Sequence, residues 1–285
     1  MIWAVLSILS GFGDAAIFAL MKKLQRIDKS LIVWTQYAFA LPFLLLLLYF
    51  NYPQRIDTNV YWTAALNAIL LIFSTYLLLE AIQTSKLSVS IPMLGLTPLF
   101  LVILSFFLLN EIPSIAGFIG ILLIVAGTYI INITNGKKFF EPFRLLFKIK
   151  SSIYIAIVAF IWSITSILFK IGIIASNPVY YVVLVYFFIS LMMLPIFFAN
   201  LKQKLNEIKS NFKMLSILGL SSAFMTVTSS YAMLYAIVPY VISLKRSSLI
   251  FSIFIGYFFF HEKNIKNPII GTIIMIIGGL LITAF

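Results

Sequence analysis

Ten times along this chain an apolar run of about twenty residues is closed by a turn former or a charged residue, and that length matches a hydrocarbon core. The runs fall at roughly 2–21, 30–50, 60–80, 88–109, 114–133, 152–175, 179–199, 214–235, 240–260 and 268–285. Inside a bilayer no water bonds to the backbone, so a spanning segment must satisfy its own amides. None of the runs shows the strict two-residue alternation of a membrane strand. The expected fold is an all-α polytopic membrane protein with ten transmembrane helices. Only 10% of the 285 residues are charged, against about a quarter in soluble domains, so a water-exposed globule of this length is excluded.

The same composition removes several kinds of chemistry. With no cysteine, disulfides and thiolate metal sites are out. The one histidine, His261, cannot build a metal centre alone, and no cofactor is expected. No phosphate-gripping glycine loop of the Walker type is present, so ATP does not drive the protein directly. The first run begins at once with Ile2-Trp3-Ala4, lacks a basic leader and a cleavage site, and reads as a retained helix.

The net charge of +12 sits in short loops between apolar runs, where it sets membrane orientation rather than binding nucleic acid. Lys22, Lys23, Arg26 and Lys29 follow the first span, and Lys137, Lys138, Arg144, Lys148 and Lys150 lie in or beside the central loop 134–151. Lys202, Lys204, Lys209 and Lys213 follow the seventh span. In a ten-span count these groups share one side, with Lys86, Lys263 and Lys266, while Arg55 is the basic residue opposite. The Lys-rich side is then cytoplasmic and both termini are outside, in a plasma or inner membrane.

The two halves, 1–133 and 152–285, repeat. A shift of 151 residues lays 76–131 on 227–282 without a gap: Ala81 meets Ala232, Glu111 meets Glu262, Gly120 meets Gly271 and Gly127 meets Gly278. The glutamates read as helix-end caps, and the glycines as places where helices approach closely. Five spans per half is an odd number, so the halves form two inverted five-helix repeats, a transporter design with its solute site at their interface.

Ala81, Pro98, Glu111, Gly120 and Gly127 resemble the helix 3–5 signature of the EamA family, in the drug/metabolite transporter superfamily. The stretch from Ala232 through Ser243-Leu244-Lys245-Arg246-Ser247-Ser248 to Glu262, Gly271 and Gly278 is similar to the second EamA repeat. Trp162 with Lys170 resembles the pattern that opens that repeat. In the first half no tryptophan stands at the matching place, although Asp14 and Lys22 keep the eight-residue spacing, and Thr35-Gln36-Tyr37 replaces a basic residue on span 2. The resemblance implies a central cavity lined by spans 1–4 and 6–9, with spans 5 and 10 packed outside. It also implies export or exchange of amino acids, metabolites or drugs by alternating access.

Charges deep in a span are costly and serve as functional candidates. Lys245 and Arg246 lie about five positions into span 9, roughly 7–9 Å from its outer end. Lys170 lies at similar depth in span 6, so the three cations are expected to form one anion site. Ser163, Ser166 and Lys170 recur at helical spacing, as do Ser243, Ser247 and Arg246. The Lys-Arg pair is also similar to the phosphate-gripping pair of sugar-phosphate transporters in the superfamily. The alternative is that these long side chains snorkel to the outer interface.

Asp14, two thirds of the way through span 1, is either a proton-coupling group or a fixed ion-pair partner for Lys170 or Arg246. Pro92, Gly95 and Pro98 kink span 4 and either gate the pathway or only bend the packing. Trp162, Tyr186, Tyr231 and Tyr235 are candidates to stack on a solute, each weighed against a core or lipid-facing role. Glu80 and His261 read as interface residues.

The leading expectation is a secondary transporter, not an enzyme, for a small polar or amphipathic metabolite such as an amino acid or another carboxylate- or phosphate-bearing solute. Its partners are that solute, the lipid bilayer and, if Asp14 couples transport, protons; both monomer and oligomer fit the duplication. The alternatives are a flippase for an anionic lipid-linked carrier and a non-transporting receptor or scaffold.

Overall fold

A computed structural model of the protein describes residues 1–84, 91–131, 150–260 and 266–284. Every regular element among them is helical. The first half contains α1 (Ile2–Lys23), α2 (Lys29–Ala38), α3 (Leu41–Phe50), α4 (Asn59–Thr84), a 3-10 segment (Ile91–Leu96), α5 (Thr97–Leu109) and α6 (Ile115–Ile131). The second contains α7 (Lys150–Ala175), α8 (Pro178–Met192), α9 (Leu194–Phe198), α10 (Leu201–Tyr235), α11 (Val238–Lys245), α12 (Ser247–Phe260) and α13 (Lys266–Ala284). Five helical stretches are long and apolar enough to cross a membrane, Ile2–Lys23, Lys29–Phe50, Asn59–Thr84, Lys150–Ala175 and Leu201–Tyr235, and shorter apolar helices accompany them.

Several expected spans are not continuous helices. Pro42 stands in the first turn of α3 and Pro195 in the first turn of α9. Lacking an N–H, proline suits a helix start and breaks a helix interior, which divides the second and seventh spans. Pro98 likewise opens α5, after the 3-10 segment that holds Pro92 and Gly95. Start signals are local too. The Asp28 carboxylate accepts the Leu31 amide at 3.0 Å and Asn177 accepts the Tyr180 amide at 2.7 Å, each capping a first turn.

The ninth span breaks at Arg246, with neither proline nor glycine beside it. There the Arg246 amide bonds to the Ser243 carbonyl at 3.1 Å and Leu249 to the Arg246 carbonyl at 3.0 Å, a tightened turn of the kind that marks functional sites in helices. A second departure from expectation is the basic stretch after the seventh span. It is not a loop: residues 201–210 are the first turns of α10, kinked at Asn211 (φ −123°, ψ 16°). The sequence carries ordinary helix formers there, and Asn211 interrupts them.

Two packing contacts fix the frame. Helix α6 crosses α13 antiparallel, and a Cβ on Gly120 would stand 2.7 Å from the Gly278 carbonyl oxygen. A Cβ on Gly127 would stand 2.6 Å from the Gly271 carbonyl oxygen, so backbone meets backbone at both levels. On α1, a Cβ at Gly11 would run into Ser247 Oγ and stand 2.8 Å from the Lys245 carbonyl oxygen. Bare backbone at Gly11 therefore lets α1 lie against the break in the ninth span. The main core runs between α1, α4, α7, α8 and α10, with Phe18, Met21, Leu78, Tyr181 and Tyr186 almost fully buried. Outside it, Leu46, Phe107, Ile115 and Ile174 are among many large apolar side chains left exposed, a surface made for lipid rather than water.

Candidate solute-binding site

Side chains from α1, α2, α4, α7, α8, α10 and α11, together with Arg246, enclose a cavity of about 90 Å³, room for several water molecules or a compact solute. Lining residues come from both halves of the chain. The described residues of α6, α13 and the fourth span contribute none of them.

The charged wall is built at the break in the ninth span. Arg246 is 1% exposed, and its guanidinium carbon lies 5.8 Å from the centre of the Trp162 ring. Its Nε and Nη1 are buried without a hydrogen-bond partner. A desolvated cation over an aromatic face gains about 2 kcal/mol, while the effective cost of burying an ion is several kcal/mol. The ring alone does not cover the cost, and Asp14 is the one carboxylate in the lining that offsets part of the rest. Lys245 Nζ lies 3.9 Å from Asp14 Oδ2 and 2.9 Å from Met225 Sδ. Asp14 Oδ2 itself has no hydrogen-bond partner. One carboxylate against two cations leaves the lining with an excess of one positive charge.

Around these charges runs a neutral polar network. The Tyr186 hydroxyl lies 2.8 Å from Ser222 Oγ and 2.6 Å from Thr226 Oγ1. The Tyr37 hydroxyl lies 2.7 Å from Thr75 Oγ1, and the two tyrosine rings meet edge to face at 4.9 Å. Gln36 donates to Ser222 Oγ at 3.5 Å and keeps a buried, unpartnered Oε1. Phe18, Met21, Leu71, Leu78 and Met233 supply an apolar wall. Such a chamber can hold a small anion by its head and an apolar remainder by contact.

Of the residues singled out in the sequence, Asp14, Trp162, Ser166, Tyr186, Lys245 and Arg246 meet at this cavity. Lys170 does not, so the expected grouping of three cations does not form. Its ammonium donates to the Met233 carbonyl, and to the Ala236 carbonyl at 3.2 Å, and lies 3.5 Å from Glu111 Oε1. The other Glu111 oxygen accepts the Val238 amide at 2.7 Å, capping the start of α11. Lysine was drawn away because a carboxylate and two helix-end carbonyls offered it full satisfaction. Glu111→Gln is expected to weaken the fold by about 1–3 kcal/mol, the cost of removing one partner of a buried charged contact, read as a lower unfolding temperature in detergent.

Ser243 bonds back to the Pro239 carbonyl at 2.6 Å, and Ser247 faces Gly11; neither lines the cavity. Tyr231 reaches Asn51 Oδ1 at 3.4 Å, and Tyr235 is 64% exposed. Gly95 packs on Thr128, and Pro98 is buried at the start of α5. Glu262 and His261 lie outside the described residues. The residues that sequence reasoning passed over are Thr165, Thr226 and Ser229, with Gln36 noted only as a departure from a pattern. Their signal was there: Ser222, Thr226 and Ser229 stand at helical spacing on one face of an otherwise apolar run.

Comparison with known proteins adds three findings. No curated protein matches this chain. A protein of known crystal structure aligns over 99% of this chain and 95% of its own, with a TM-score of 0.68 at 16% identity, a likeness of fold. The sequence pattern described as the EamA-like transporter family matches residues 1–133 and again 149–284. With both halves of the chain matched, this protein belongs to the EamA-like transporter family, a family of membrane transporters rather than enzymes.

Proposed function

We propose that the protein is a secondary transporter that exports or exchanges a small metabolite bearing a carboxylate or phosphate, by alternating access. The observation that carries this reading is Arg246, buried at the cavity with two donor nitrogens free. A fork of paired N–H groups suits the oxygens of either anion. The excess positive charge and the neighbouring hydroxyls support it, because bound anion would satisfy groups that are costly to leave unmet.

Ten spans in two inverted repeats are the frame in which this works. Support comes from partners that exchange under the 151-residue shift: Gly120 lies on Gly278, and Gly127 on Gly271. A looser likeness joins them: the Lys22 ammonium donates to the Ile82 carbonyl at 2.9 Å and Lys170 to the Met233 carbonyl, the acceptors standing 151 residues apart and the lysines 148. Contacts also lie across both ends of the bundle, Lys170 with Glu111 at one and Lys204 with Asp28 (4.0 Å) at the other. Alternating access opens these in turn. Charge bias puts the Lys-rich end in the cytoplasm and both termini outside a plasma membrane.

Asp14, 3.9 Å from Lys245, is the group placed to exchange a proton as the anion comes and goes. In solute-loaded proteoliposomes, Asp14→Asn is expected to abolish the acidification that accompanies net solute flux while leaving solute–solute exchange. Acidification that persists in the variant counts against proton coupling here. The transporter reading itself is tested by counterflow of radiolabelled amino acids, sugar phosphates and other small anions. Absence of protein-dependent flux for every anion tried would sink it.

A further inference from the structure

A second, larger hollow lies at the Lys-rich end of the molecule, between the turn that follows α1 and the first turns of α10. It is an open groove of about 980 Å³ lined by Lys23 and Arg26 on one side and by Lys202, Asn206 and Ser210 of α10 on the other. All three cations are exposed, and among the described residues none has an ion pair or a side-chain hydrogen bond. Their neighbours are different. Lys29 is held by Glu80, and Lys204 lies 4.0 Å from Asp28. The one carboxylate in the groove, Glu207, already accepts Gln203 Nε2 at 2.9 Å and the Asp28 amide at 3.2 Å. The groove is therefore left with three uncommitted cations.

The helix that forms one wall also carries large apolar side chains outside the groove's lining. On the same stretch of α10, Leu205 is 43% exposed, and Phe212, just past the kink at Asn211, is 60% exposed. A charged helical segment that also exposes large apolar side chains rests at the boundary between headgroups and acyl chains. Cations there face the headgroup layer, where phosphate is the abundant anion and each basic residue adds to its attraction. We propose that this groove binds the phosphate headgroup of an anionic membrane phospholipid, with Leu205 and Phe212, on another face of α10, setting this end of the helix at the headgroup boundary. This site is separate from the solute cavity and does not depend on what the cavity carries.

The test uses the full chain in neutral detergent, following thermal unfolding as phosphatidylglycerol is added. Phosphatidylglycerol is expected to raise the transition, whereas phosphatidylcholine and inorganic phosphate at equal concentration are not. In Lys23→Gln/Arg26→Gln/Lys202→Gln the half-effective lipid concentration should rise about tenfold or more. Arg26→Gln alone should move it in the same direction, which covers poor folding of the triple variant. Arg55→Gln, exposed at the opposite end of the molecule beside Ala175 and Asn177, should behave as the parent. An unchanged lipid response in the groove variants overturns the proposal. So does an absent response in the parent, or an equal one to inorganic phosphate.

Discussion

Arg246→Gln is expected to lower anion transport in proteoliposomes by about 100-fold or more, since hydrogen bonds to a charged group contribute about 1.5–3 kcal/mol each. The same change should leave the unfolding temperature unchanged or raise it. That pairing of outcomes follows from the geometry: Nε and Nη1 are buried with no hydrogen-bond partner on the protein, and unmet buried donors cost about 1–3 kcal/mol each. A residue held only for packing would show the reverse, a lost fold with flux falling in proportion. Arg246→Lys should not restore transport, because an ammonium cannot replace a two-pronged donor. Full flux in Arg246→Gln would remove the basis for an anion at this site.

The largest effect on the fold is expected at Gly120. Adding a Cβ there places it 2.7 Å from the Gly278 carbonyl oxygen and 2.7 Å from Ile282 Cγ1. A backbone atom cannot swing aside, so α6 and α13 must separate. Gly120→Ala should cost about 1–3 kcal/mol, as overpacking of tight cores does, and Gly120→Val more. Gly279→Ala is the control. Its Cβ would meet the end of the flexible Leu244 side chain at 3.1 Å, and a change within about 0.5–1 kcal/mol is expected. Equal unfolding temperatures for Gly120→Ala and the parent in detergent would show that the crossing is looser than described.

Hydropathy was enough to read the helices, because twenty apolar residues in lipid admit few conformations. It was not enough to read where they break. Pro42 and Pro195 were visible signals in the sequence, but the turn at Arg246 has no such residue. What stands against it is Gly11 of a distant helix, beside Lys245 and Ser247. Lysine depth in a span was legible and lysine partnership was not. Lys170 and Lys245 looked alike on paper, yet one met Glu111 and the other Asp14. Those partners stand 59 and 231 residues away along the chain, and no local window contains them.

The crossing of α6 and α13 has the geometry of a homodimer contact held within one polypeptide. Residue 120 of one half meets 278 of the other, and 127 meets 271, as two identical chains related by a twofold axis would pair. Because the helices run antiparallel, that axis lies across them rather than along them. Two free copies of one half would have to enter the membrane in opposite orientations to meet this way. Joining them removes that requirement and ends their identity. Leu94-Gly95 stays apolar in one copy, while the matching place in the other becomes Lys245-Arg246. A fused pair can thus keep a common seam and give only one partner the charge.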